Sequence, residues 1–122
     1  MSSHPINLAV RFALELCVLA VAGYWGWTTA DSGMRYVLVW LVPLALAIAW
    51  GTFAVPNDPS RSGHSPVPVP GLVRLALELA YFAFGAWALY SIGHPVSAII
   101  LGALVVVHYM VSYDRIAWLV RQ

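Results

Sequence analysis

The sequence has no lysine, a single cysteine and few charges of any kind. Asp, Glu and Arg make up 9% of its 122 residues, against about 25% charged residues in soluble domains. Hydrophobic residues make up 61%, and the mean hydropathy is +0.81. This balance excludes an ordinary water-soluble domain and makes the lipid bilayer the first expected partner. The lone Cys17 excludes an intramolecular disulfide and a cysteine-cluster metal site. No nucleophile stands in a motif with a base, no glycine loop is shaped to cradle phosphate, and HExxH is missing. No basic patch interleaved with aromatics is offered to nucleic acid. The expectation is therefore a non-enzyme without metal, cofactor or nucleic-acid partner.

What the sequence does have is long apolar runs. A membrane-spanning helix needs about 20 mostly apolar residues. Four stretches meet this: 6–28, 35–55, 72–91 and 96–113. Pro5 suits the start of the first, and Pro43 should kink the second and free one carbonyl. Ala20-Val21-Ala22 has the small-residue character of a leader cleavage site. Glu15 within the apolar run, and the lack of a basic residue before Arg11, favour a retained first helix. Between the second and third runs lies PNDPSRSGHSPVPVP, residues 56–70, with five prolines in fifteen positions. It reads as an extended connecting strap that forms neither helix nor sheet. The tail from 114 to 122 reads as a short interfacial helix, with Ile116, Trp118, Leu119 and Val120 near lipid.

The charges are placed with more order than their number suggests. Shifting the sequence by 63 lays Val10-Arg11-Phe12-Ala13-Leu14-Glu15-Leu16 on Val73-Arg74-Leu75-Ala76-Leu77-Glu78-Leu79, identical at six of seven positions. The chain thus reads as two helical hairpins in tandem, repeat 1 over about 5–55 and repeat 2 over about 71–113. Each repeat has an even number of spans, so the two run parallel. Arg and Glu four residues apart share one helix face. A charge at the bilayer centre costs at least about 2.5–3.5 kcal/mol on insertion scales, so these four must face inward and pair. If the first and third helices pack about a twofold axis, Arg11 meets Glu78 and Arg74 meets Glu15. Trp50, His108 and Tyr109 fall at similar depth, and the two carboxylates are natural acceptors for the indole and phenol. Small residues continue these faces: Ala22 and Gly26 after Glu15, Gly85 after Glu78, and the pair Ala98 and Gly102 in the fourth helix. His4, His64 and His94 read as solvated.

Basic residues set orientation. Arg11, Arg61, Arg74, Arg115 and Arg121 fall on the side of the termini and the strap, and only Arg35 on the other. Both termini are expected in the cytoplasm, with Trp25, Trp27, Tyr36 and Tyr90 as an aromatic belt on the outer face. The stretches RFALELCVLAVAGYWGW, AWGTFAVP and LALELAYFAFGAWALYSIG together resemble the YrdB-like family of small bacterial membrane proteins, a domain of unknown function. The resemblance implies a four-helix multipass protein of the bacterial inner membrane and brings no activity with it. A weaker likeness, to small multidrug-resistance exporters, rests on four short helices and a Glu in the first; those exporters lack the parallel repeat.

The expected fold is an all-α, four-transmembrane-helix bundle of two parallel hairpin repeats. The expected function has two forms. In the first, Arg11, Glu15, Arg74, Glu78, Trp50, His108 and Tyr109 form a polar cluster that glues the bundle, and the protein assists or assembles with itself or another membrane protein. In the second, Glu15 and Glu78 bind a small cationic or protic solute in a carrier or channel. A metal at His108 would need about three or four ligands, which this sequence does not offer.

Overall fold

The computed structural model describes residues 4–59 and 65–122. Arg61, counted above toward orientation, and His64, read as solvated, lie outside the described residues. Five helices follow one another: α1 Pro5–Thr29, α2 Met34–Thr52, α3 Gly71–Ser91, α4 Pro95–Val111 and α5 Tyr113–Val120. Pro5 opens α1, and the His4 side chain caps it by accepting from the Ile6 N–H at 3.2 Å. Proline also opens α4, after a tight turn in which Gly93 takes a φ of 89°, a conformation that a side chain disfavours. By length and composition α1, α2 and α3 can each cross a membrane, and α4 with α5 makes a fourth candidate, bent by 71° at the break.

The strap departs from expectation. Phe53–Ala54 (β1) pairs in parallel with Val67–Pro68 (β2), and the Val69 N–H donates to the Ala54 carbonyl at 3.0 Å. A proline-rich segment can do this in a two-strand ladder because Pro68 need only present its carbonyl and side chain at an edge. This pairing ends α2 at Thr52, three residues before the sequence suggested. The tail departs too. Leu119 is fully buried rather than lipid-facing, because α5 folds back onto α3.

The core lies where α1, α3 and α4 meet. Leu14, Val18, Tyr81, Phe82, Leu101, Val105 and Tyr109 are buried there together. Gly85 makes room: a Cβ on it would stand 2.9 Å from a Val18 methyl. Helix α2 lies against α1 and buries none of its own residues, with Trp40 75% exposed and Leu44 and Ile48 over half exposed. A water-soluble protein does not present so continuous an apolar face, whereas lipid suits it. The α1–α2 contact rests on backbone approach. Pro43 leaves the Val39 carbonyl without its helical donor, and that oxygen would lie 3.1 Å from a Cβ on Gly23. One turn on, a Cβ at Gly26 would stand 2.5 Å from the Leu38 carbonyl oxygen.

Of the expected pair on α4, Ala98 is buried, but Gly102 makes no close contact. Around Gly102 nothing lies within 4 Å of an added Cβ. Gly26→Ala should therefore destabilise the protein by about 1–3 kcal/mol through overpacking against backbone. Gly102→Ala should be neutral or stabilise by up to about 1 kcal/mol through helix propensity. Reversible unfolding of both variants in bicelles checks the contrast, and equal effects would discount the close α1–α2 approach.

Candidate functional site

The two Arg–Glu turns come together as the helical spacing requires. On α1, Arg11 Nε lies 3.3 Å from Glu15 Oε1; on α3, Arg74 Nε lies 2.9 Å from Glu78 Oε2. Packing of α1 on α3 adds the cross pair Arg11 Nη2–Glu78 Oε1 at 3.0 Å. The symmetric counterpart is missing: no ion pair joins Arg74 to Glu15 among the described residues. Arg74 instead turns its Nη1 to the end of α2, donating to the carbonyls of Trp50 at 2.6 Å and Phe53 at 2.7 Å. Carbonyls at a helix C-terminus lack internal donors and carry partial negative charge, so a buried guanidinium satisfies both needs at once.

The asymmetry follows from what comes after each hairpin. After α2 the chain enters the strap, which supplies Asp58. After α4 it turns at the buried Ser112, whose hydroxyl accepts from Asn7 Nδ2 at 2.7 Å. That turn sends α5 back, and Arg115 enters the cluster. Arg115 pairs bidentately with Asp58, Nη1–Oδ1 at 2.8 Å and Nη2–Oδ2 at 3.0 Å. It also donates to Glu78, from Nε to Oε1 at 3.3 Å and from Nη2 to Oε2. Burial alone would favour its neutral form, but Asp58 and Glu78 outweigh burial and raise Arg115 above the usual arginine range.

Glu78 thus sits at the centre. It is fully buried, meets three guanidinium groups and accepts from the Tyr109 hydroxyl at 2.8 Å. Glu15 is peripheral. Its side chain is 18% exposed and its ion pair is with Arg11. Three guanidinium groups (Arg11, Arg74, Arg115) stand against three carboxylates (Glu15, Glu78, Asp58), so the cluster is neutral as a whole. Hydrogen bonds around Glu78, Asp58 and Arg115 make charge tolerable in a low-dielectric setting, while Arg11, two of whose buried nitrogens have no hydrogen-bond partner among the described residues, is held by its ion pairs.

Tyr109 gives its phenol to a carboxylate as expected, whereas Trp50 takes another part. The Trp50 ring lies under two cations, with the Arg74 Cζ 4.4 Å and the Arg11 Cζ 5.3 Å from its centroid. Tyr81, not foreseen, packs on Trp50 at 4.4 Å and donates its hydroxyl to the Glu15 backbone carbonyl at 2.8 Å. His108 is 4% exposed, and neither ring nitrogen has a hydrogen-bond partner among the described residues.

Asp58 and Arg115 escaped the sequence reading. Asp58 sits among turn residues, and Arg115 sits in a tail whose apolar residues suggested lipid. Among the described residues no group of three or more His, Cys, Asp or Glu is placed to hold a metal ion. Two surface grooves, of about 550 and 390 Å³, are lined by apolar side chains and Ser97; of the cluster, only Tyr109 reaches one of them.

A family described as "Protein of unknown function (DUF2568)" matches residues 9–106. That span takes in Arg11, Glu15, Asp58, Arg74 and Glu78 and stops short of Arg115. An uncharacterized protein, YrdB of Bacillus subtilis (strain 168), is 44% identical over 120 residues, covering 98% of this chain and 97% of that one. No solved structure matches.

Proposed function

The chain belongs to the DUF2568 family, whose unknown function supplies no activity, and from its geometry we propose a small multipass protein of the bacterial inner membrane whose charged cluster is a tether. In this reading four spans form a bundle of two parallel hairpins, residues about 5–55 and 71–113. The strap 56–70 and the tail 114–122 lie with both termini on the cytoplasmic side. The protein serves other membrane components, or further copies of itself, as an accessory or assembly partner.

The observation that carries this is the saturation of Glu78. Four groups from three helices besides its own turn converge on one carboxylate, and the strap is bound in through Asp58 and Arg115. A carboxylate so engaged fixes helix register and holds the strap and tail in place. A carrier needs one that a solute can reach. The Asn7–Ser112 bond and the burial of Leu119 gather the start of α1, the start of α3 and the end of α4 at one end of the molecule, with Arg35 at the other. That distribution supports the orientation proposed.

One observation favours the second reading. Glu15 is partly exposed and held mainly by Arg11, so a cation or proton reaching the cluster would meet it first. Flux measurements separate the two. In proteoliposomes holding a pH-sensitive dye, small quaternary ammonium ions imposed as a gradient should move protons no faster than in protein-free vesicles. A cation-driven proton flux that Glu15→Gln abolishes would replace the tether with a carrier.

A further inference from the structure

We propose that Arg11 and His108 line a binding site for ordered water between α1 and α4, in which water accepts from the guanidinium and donates to a neutral imidazole. The proposal goes beyond the tether reading, since it depends on how the two helices face each other and not on what the protein serves. Helix register places the two residues opposite one another. Asn7, near the start of α1, donates to Ser112, at the end of α4, at 2.7 Å, so the two helices run antiparallel. Four residues along α1 from Asn7 is Arg11, and four residues back along α4 from Ser112 is His108. Three residues further on each helix are Leu14 and Val105, and four beyond those are Val18 and Leu101. These four are buried in one cluster, and methyl groups of Val18 and Leu101 both border Gly85. With the bonded pair one turn to one side and the apolar core to the other, helical spacing leaves Arg11 facing His108.

A second observation leads to the same place. Arg11 Nη2 lies 3.0 Å from Glu78 Oε1, and the Tyr109 hydroxyl donates to that same oxygen at 2.8 Å. Tyr109 is the next residue after His108, with ring centroids 5.6 Å apart. The Arg11 guanidinium therefore stands at the turn of α4 that carries His108. There is room beside it. Helices α1 and α4 touch at few points. Just beyond this level a groove of about 390 Å³ opens between them, bordered by Leu14 and Cys17 of α1 and by Leu101 and Leu104 of α4.

Four buried nitrogens meet in this layer without a hydrogen-bond partner among the described residues: Nη1 and Nη2 of Arg11 and both ring nitrogens of His108. Both residues are almost wholly buried, and buried polar groups left unsatisfied are costly. An arginine can only donate, whereas a neutral imidazole offers one N–H and one bare nitrogen. The occupant must therefore accept from Arg11 and donate to the ring. An anion could accept from Arg11, but it would meet the Glu78 carboxylate on the same guanidinium, in a cluster already neutral. A cation would be repelled by Arg11. Water accepts and donates without adding charge, and Arg11 with His108 gives it the roughly two to four polar partners that a buried water needs. It bridges α4 to α1 where the two helices make little direct contact.

The experiment is solid-state NMR on the full chain in lipid bilayers near pH 7, reading the magnetisation that passes from water to ¹⁵N-labelled histidine and arginine side chains. His108 is told from the other histidines by its backbone link to Tyr109. Its shifts should show a neutral ring, and water should reach both that ring and the Arg11 guanidinium. Arg115, engaged by Asp58 and Glu78, is the dry reference and should receive much less. Loss of the ring in His108→Leu should lower the transfer to Arg11 and leave Arg115 as it was. No transfer to Arg11 or to His108, transfer to Arg115 of equal size, or a charged ring overturns the site. So does a shift of the Arg11 signals when chloride is exchanged for gluconate, which would make the occupant an anion. Should His108→Leu fail to fold, the wild-type spectra decide alone.

Discussion

Glu78→Gln should cost the protein about 3–5 kcal/mol of stability, and Glu15→Gln about 1 kcal/mol or less. The sequence gives no ground for this difference, since both residues occupy the same place in heptapeptides identical at six of seven positions. The structure supplies it. Glu78 is fully buried among Arg11, Arg74 and Arg115 and takes the Tyr109 hydroxyl. A glutamine there keeps the shape and loses the charge, leaving three buried guanidinium groups facing two carboxylates. One of those carboxylates, Glu15, is at the edge. Removing one partner from a buried ionic group is costly because the others stay desolvated without compensation. At Glu15 the loss falls chiefly on one pair with a partly exposed side chain, where the ion pair contributes little and water or headgroups can replace it.

A second substitution makes the test internal. Arg115→Gln added to Glu78→Gln restores the balance of charge, at two cations to two anions, so the double variant should lose clearly less than the sum of the two single losses. Reversible unfolding in bicelles measures all four states. Equal losses from the two glutamate variants, or strict additivity with Arg115→Gln, would mean that Glu78 is not the centre of the tether.

The sequence made some of this legible and hid the rest for physical reasons. Arg11 with Glu15 and Arg74 with Glu78 were readable because i,i+4 spacing is set by the helix itself. Charge in an apolar run has to turn inward whatever the fold. Burial elsewhere was not readable, because a helix that is apolar all round shows no core face. On α4, Ile99 is 69% exposed and Leu101 is 6% exposed, yet both are aliphatic neighbours in one run. Small residues were the remaining guide, and they divided: Gly26 and Gly85 sit at close approaches, and Gly102 faces open space. The repeat also misled. It implied a symmetric exchange of ion pairs, but symmetry in sequence stops where each hairpin ends. The strap and the tail that follow supply Asp58 and Arg115, and these draw the cluster toward Glu78.

Gly71→Ala should destabilise docking of α5, against the direction that helix propensity gives. Gly71 is the first residue of α3, after Pro70. In a helix interior alanine is favoured over glycine by about 1 kcal/mol, and even at a helix start some of that gain applies. Packing decides otherwise. A Cβ on Gly71 would overlap the Leu119 carbonyl oxygen and come within 3.0 Å of the Gln122 Cβ. The obstacle is backbone, so no rotamer change relieves it. Either α5 shifts off α3 or the α3 start moves, and α5, eight residues long and hinged at Ser112, is the part that gives. Leu119 would then lose its buried site, and Arg115 would lose the geometry that joins Asp58 to Glu78. The expected cost is about 2–4 kcal/mol, the scale of core overpacking with part of a buried ionic contact added. A spin label on Val120→Cys of α5, in a chain whose native thiol is removed by Cys17→Ser, should report it directly, mobile where the parent chain is immobile. Adding Arg115→Gln to Gly71→Ala should then cost little more, because the contact it removes is already broken. If Gly71→Ala instead raises stability with the label still immobile, α5 does not rest on the start of α3, and the tether has to be built without the tail.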